Sequence, residues 1–332
     1  MLGNIRSLFM LLLLLTIAIV LPRTAVAGGD AADFYKNNRI KIVVQYGPGG
    51  GTDIHARWLA RHLPRFTGGK AIVQNQPGAG GIIAYNKLYN AKPDGLNIIT
   101  AHTKLVAFDI FGRKGVRYKF QDFPILGRTQ TPEVVLFVRN DLPTDLKALR
   151  KMDKIRIGES SPFFGGLMAE ALNLPNVTLV PGYQGIAARV AAMRRNELDG
   201  APGGITSIFR HKDVIKPLVS AFHDKRAPEV PDIGKLGQEP GKSYASAFAG
   251  LMWTIITTPG TPKERTAYLE KTFQKLTQDP QARAEAKKLN LSLEWASSPE
   301  LRKMRKVFTD LSPKERKELK HITEKKYVGA IN

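Results

Sequence analysis

The chain has 332 residues, 50 lysines and arginines against 29 aspartates and glutamates, a formal net charge of +21, and no cysteine. The missing cysteines exclude disulfides, thiolate nucleophiles and cysteine metal sites, so the fold must rest on its apolar core. The basic charge invites a nucleic-acid reading, but the cations are dispersed among acids, as in Lys263-Glu264-Arg265 and Lys314-Glu315-Arg316-Lys317-Glu318. That pattern suits solvated helix faces, so nucleic acid is not an expected partner. A positive field still draws anionic solutes.

Residues 1–27 read as a secretory signal. Arg6 precedes an apolar run from Leu8 to Leu21, and Ala25-Val26-Ala27 is a small-residue cleavage site. Cleavage after Ala27 predicts a periplasmic chain of 305 of the 332 residues, comfortable for two lobes.

A strand is expected over 40–46. It runs into Gly47-Pro48-Gly49-Gly50-Gly51-Thr52-Asp53, and an amphipathic helix follows over 52–63. The pattern repeats: a strand over 71–75, the turn Gln76-Pro77-Gly78-Ala79-Gly80-Gly81, and a helix over 81–90. Pro93-Asp94-Gly95 turns the chain into a third strand over 96–101. This is the βαβ rhythm of a parallel sheet covered by helices. A longer extended stretch occupies 125–138. A second series follows, with strands at 154–158 and 177–180, helices at 165–172 and 185–195, and a strand within 214–222. A further apolar run over 248–258 ends at Pro259-Gly260-Thr261-Pro262, where Thr261 and Pro262 suit a helix start. The remainder is helical, with Asp279-Pro280 opening another helix.

These series predict an α/β molecule of two lobes, each a mainly parallel sheet flanked by helices. Lobe one is expected to comprise 28–128 and 252–332, and lobe two 129–251, with the two crossings acting as a hinge. Ligands of such sheets sit beyond the strand C-termini. A strand, glycine turn and helix start aim bare N–H groups at an anion, so Gly49, Gly50, Gly51 and Thr52 are candidate donors to a small carboxylate, with Ala79 and Gly80 in the second turn. No Gly-Lys-Ser/Thr follows the glycines, which excludes a nucleotide P-loop. Asp53 is expected in a structural role in the first helical turn. Tyr46 can wall the site or pack in the core. His102 and Thr103 follow the third strand, and Ser160 and Ser161 a strand of the second series. Tyr183, Gln184 and Gly185 open a helix, and Phe163 and Phe164 either offer an aromatic wall or pack at least one ring into the core. The histidines show no H-E-x-x-H spacing and the serines no G-x-S-x-G elbow, so neither a metal, a cofactor nor a catalytic group is expected.

In the order and spacing of these motifs the chain resembles the substrate-binding proteins of tripartite tricarboxylate transporters, the Bug proteins. The resemblance rests on the Pro-Gly-Gly-Gly-Thr-Asp core at 48–53, on Val73-Gln74-Asn75-Gln76-Pro77-Gly78-Ala79-Gly80-Gly81, on Ala91-Lys92-Pro93-Asp94-Gly95 and on Gly182-Tyr183-Gln184-Gly185. Lys225-Arg226-Ala227-Pro228-Glu229-Val230-Pro231-Asp232 and the Pro259-Gly260-Thr261-Pro262 turn extend it. It implies a periplasmic, monomeric, non-catalytic type 2 binding protein of the Venus-flytrap kind, which holds a small carboxylate between two lobes and presents it to a membrane permease. Docking on a signalling receptor, or an exported enzyme built on the same anion pocket, are the alternatives. Three departures fall in lobe two. The serine-glycine turn at its start reads Glu159-Ser160-Ser161-Pro162-Phe163-Phe164, with two aromatics. Gln184 stands where relatives often carry a lysine or arginine, and Gly200-Ala201-Pro202-Gly203-Gly204 replaces an apolar segment with a polar tip, which brings Pro202 and Gly203 into the candidate site.

Overall fold

The computed structural model describes residues 29–132, 134–159, 163–183, 185–205, 210–222 and 227–328. The predicted signal segment, Ser160, Ser161, Gln184 and part of the Lys225 to Asp232 motif lie outside them.

The first series builds α1 (Gly29–Lys36), β1 (Arg39–Val44), α2 (Gly51–Thr67), β2 (Lys70–Asn75), α3 (Ile82–Tyr89), β3 (Asn97–Ala101), α4 (Lys104–Ile110) and β4 (Ile125–Gln130). The second builds β5 (Val135–Arg139), α5 (Leu146–Arg150), β6 (Ile155–Gly158), α6 (Phe163–Ala171), β7 (Val177–Val180), α7 (Gly185–Arg194), β8 (Gly200–Gly203) and β9 (Ile215–Ser220). After α8 (Ile233–Leu236) and α9 (Gly241–Gly250) come β10 (Thr254–Thr257), α10 (Lys263–Gln278), α11 (Pro280–Lys288), β11 (Leu293–Ala296), α12 (Ser298–Thr309) and α13 (Pro313–His321).

The strands form two mixed sheets, ordered β11-β4-β10-β3-β1-β2 and β7-β6-β8-β5-β9. Within each βαβ series the strands pair in parallel, β1 with β2 and β3, and β6 with β7 and β8. The strands beside the crossings run against them: β10 is antiparallel to β3 and β4, and β5 to β8 and β9. The chain therefore passes from the first sheet to the second between Gln130 and Val135, and returns between Ser220 and Thr254.

The β1 sequence explains its central place. Ile40, Ile42, Val43 and Val44 are all buried, as a strand covered on both faces requires. Helix α2 turns Ala56, Leu59 and Leu63 into the core. Trp58 is fully buried, and its indole N–H donates to the Ala282 carbonyl at 3.0 Å. The helix stops at Gly68, whose φ of 70° and N–H bond to Pro64 O form a left-handed cap. One apolar cluster runs from Val43 and Ile99 under the first sheet to Ile155 and Leu179 under the second, so the sheets share hydrocarbon across the crossings.

Buried Arg128 ties the crossings together. It donates to Gly250 O at 2.6 Å and lies over the Phe222 ring. The expected return of 252–332 to lobe one needs a correction at its far end. Residues 322–328 cross again: the Leu179 N–H donates to Tyr327 O, Leu179 pairs with Val328, and the Ile322 carbonyl lies against Gly166 of α6. The physical reason is side-chain burial, since Ile322 and Tyr327 join the apolar cluster that α6 helps to build.

Candidate interlobe binding site

Parallel strands deliver their C-terminal ends to one edge. In the first sheet that edge carries Tyr46 after β1 and His102-Thr103 after β3. In the second it carries Glu159 after β6 and the end of β8. Between them lies a cavity of about 680 Å³, within the usual range of roughly 300–1,000 Å³ for small-molecule sites. Val134 and Met252, one from each crossing, line it.

Of the residues expected at the site, His102, Thr103, Pro202 and Gly203 line this cavity. Tyr46 and Gly80 stand one side chain back, behind His102 and Phe108, and Gly51 lies against Trp253, which is outside the lining. The Tyr46 ring meets His102 edge-on at 6.0 Å, a Cβ on Gly51 would lie 3.7 Å from the Trp253 ring, and one on Gly80 would lie 3.3 Å from Phe108. Gly49, Gly50, Ala79 and Gly185 are exposed, Thr52 is buried and Tyr183 half-buried, and none of these lines the cavity. One donor of the first glycine turn is satisfied from within. The Gly49 N–H donates to Asp53 Oδ2 at 2.9 Å, while Arg57 and Asn75 also donate to that carboxylate. Arg57 above all holds Asp53 down at about 2, with the Gly49 N–H and Asn75 adding to it against the cost of burial. Asp53 thus has the structural role its position suggested.

Sequence reasoning missed the charged groups. Lys104 and Arg113 come from the first lobe, Arg189 from α7 in the second, and Lys320 from α13; Glu159 and Glu324 oppose them. Arg189 donates to the Pro202 carbonyl at 2.6 Å and the Tyr183 carbonyl at 3.3 Å, and among the described residues neither it nor Lys104 forms an ion pair. Burial lowers the Lys104 pKa, and crowding by Arg189 and Arg113 lowers it further. Like charges held this close indicate a place for an anion. Burial raises Glu159 to about 8, against the opposing pull of Arg189, the Gly165 N–H and Lys104. Burial thus drives Glu159 toward its neutral form and weakens its compensation of the cations. His102, lowered to about 4 by burial and by Lys104, is uncharged at neutral pH. Five phenylalanines complete the lining: Phe108, Phe111, Phe163, Phe164 and Phe248.

A signal for Arg189 did exist. It lies four residues beyond Gly185, one turn along the helix that opens at the Tyr183 turn. Lys104 directly follows two residues that were singled out. Lys320 has no local signal, because only the late return of the chain brings it to the cavity.

Two mixed sheets, two strand-level crossings and a cleft at the strand C-termini define the two-lobed fold of periplasmic binding proteins. No protein-family model matches the chain. It is 24% identical over 270 residues to a UPF0065 protein from the TAR-I ttuE-ttuC' intergenic region of Agrobacterium vitis, covering 78% of this chain and 76% of the relative. It is 25% identical over 265 residues to the protein BugT of Bordetella pertussis, covering 75% and 79%. Among solved structures it is similar to a TctC solute-binding protein from Polaromonas, with a TM-score of 0.66 at 18% identity over 86% of this chain and 97% of that one. An R. palustris protein with adipate bound superposes with a TM-score of 0.61 at 18% identity over 86% and 97%. The chain is thus similar to UPF0065 and Bug proteins over three quarters of its length and shares its fold with a TctC solute-binding protein, so the resemblance read from its glycine motifs is borne out. Among the described residues no helix is long and apolar enough to cross a membrane.

Proposed function

We propose that this chain is an exported solute receptor that captures a small carboxylate between its lobes and delivers it to a tripartite tricarboxylate-type membrane permease. The observation that carries this reading is the convergence of Lys104 and Arg189, from opposite lobes, on one cavity beside a carboxyl group that burial drives toward its neutral form. Charge-assisted hydrogen bonds from both lobes to a single anion reward the closed arrangement, and only such differential binding shifts a conformational equilibrium. The adipate-bound neighbour shows that this fold accepts a carboxylate. The lining offers groups that bind and orient an anion, so the reading is a receptor and not an enzyme. Export rests on the signal segment at 1–27 and periplasmic residence on the fold. The lobes are 28–128 with 252–321, and 129–251 with the crossing tail.

The test is a thermal-shift titration of residues 28–332 with mono-, di- and tricarboxylates. A ligand that binds only the native state raises its stability by mass action, so a saturable rise is expected for at least one class. Flat responses throughout would remove the carboxylate-receptor reading.

A further inference from the structure

Glu159 holds the start of α6 with its own carboxyl. It follows β6 directly and is 2% exposed. Its Oε1 accepts the N–H of Gly165, and the Phe164 N–H also supports it. The open N–H groups at the start of α6 would be the natural anion site of this lobe, and the chain fills them with its own carboxyl. A Cβ on Gly165 would lie only 2.6 Å from that oxygen, so nothing else fits between.

The rest of the lining divides into a charged part and a hydrocarbon part. Lys104 of α4 and Arg189 of α7 are the cations acting on Glu159. The hydrocarbon part is a ring cluster drawn from three helices. Phe163 lies 5.4 Å from Phe111 and 4.3 Å from Phe248 between centroids, and Phe164 lies 6.1 Å from Phe248. Aromatic rings at such spacings accept a further ring by edge or offset stacking.

We infer that the cavity selects a monocarboxylate bearing an aromatic ring over dicarboxylates and tricarboxylates, an inference that rests on the carboxylate-receptor reading above. The single carboxylate meets Arg189 and Lys104, and the ring enters the phenylalanine cluster. A second carboxylate finds the start of α6 already taken. It would lie against phenyl rings, and the other cations of the wall are already engaged: Arg113 lies over the Phe108 ring, and Lys320 donates to the Phe111 carbonyl and pairs with Glu324, so it loses its hydration for little return.

The test is isothermal titration calorimetry of the protein purified from the periplasm of an expression host, with benzoate, phenylacetate, hexanoate, succinate, adipate and citrate as probes. The expected result is at least tenfold tighter binding of an aromatic monocarboxylate than of adipate or citrate, with hexanoate weaker than phenylacetate. Glu159→Ala is expected to raise adipate affinity and narrow that ratio. Adipate or citrate binding as tightly as the aromatic acids overturns the inference and leaves the receptor reading standing. Hexanoate matching phenylacetate overturns the aromatic selection. Heat from none of the six acids overturns both. Should Glu159→Ala fail to fold, the panel on the unaltered protein decides alone.

Discussion

Replacing Glu159 by glutamine tests the electrostatics of the cavity without any ligand. In the folded chain burial raises this carboxyl from 4.5 to about 8. A group whose folded value lies above its unfolded one contributes fully to stability below the unfolded value, and that contribution is lost as the pH climbs toward the folded value. The window therefore opens near pH 4.5 and closes near pH 8. Each pH unit inside it costs about 1.4 kcal/mol, so about 3 kcal/mol has gone by pH 7, as an order of magnitude. Glutamine has the shape of the protonated acid and no proton to lose, and its amide oxygen still accepts the Gly165 N–H. Thermal melts of both proteins at intervals from pH 5 to pH 8 should show small differences at the acid end. The Tm of Glu159→Gln should pull ahead by roughly 5 °C near pH 7, taking about 2 °C per kcal/mol for a protein of this size. A constant gap across the range would mean that Glu159 titrates as an ordinary surface acid, and the neutral-carboxyl account of the cavity would fall with it.

Arg189→Met should abolish most of the ligand-dependent stabilisation. Loss of a charge-assisted contact of about 2 kcal/mol weakens Kd roughly thirtyfold, read by calorimetry. Gly127→Ala should lower stability by about 3 kcal/mol in a denaturant melt, because Gly127 sits at a φ of 106° and a Cβ there would lie 2.2 Å from the Trp295 ring. An unchanged midpoint would show that the ring moves aside freely. Asp53→Asn should cost about 1 kcal/mol at pH 7, a modest figure because the partner Arg57 is half exposed and screened. Asp53 is held at about 2 mainly by Arg57, so its contribution is present above pH 4 and fades as the pH falls toward 2. The gap between variant and parent in acid melts should close in that direction, and a gap that persists below pH 2 would assign the cost to packing.

The alternation of apolar runs with glycine and proline turns made the two series and both crossings readable, because a βαβ unit writes each of its parts locally. The direction of β5 and β10 was not readable, since an isolated apolar run carries no sign of which neighbour it will join. The site was half legible. His102 and Thr103 were singled out because they follow a strand, and strand ends are where such sheets bind; Pro202 and Gly203 drew attention only because their segment departs from the pattern of the resembled family. The glycine turns drew attention for their backbone geometry, yet Asp53 satisfies part of the first one, and the side chains of His102, Trp253 and Phe108 stand beside the turns. Arg189 and Glu159 decide the charge of the cavity through burial, a property of the assembled lobes that no residue type announces. Phe163 and Phe164 were flagged as a wall, while Phe108, Phe111 and Phe248 joined them only once three helices had packed.

The tail crossing at 322–328 sets an order of assembly. Lys320, Thr323 and Glu324 belong to the wall of the cavity, yet a ribosome reaches them only after every other part of that wall has been made. Both sheets are complete in sequence by Ala296, so a chain released a few dozen residues early could hold its strands and still present a breached compartment. Ligand-dependent stability then reports more than occupancy. It also reports that the chain runs through to the segment that completes the chamber, because Lys320, Thr323 and Glu324 close its wall.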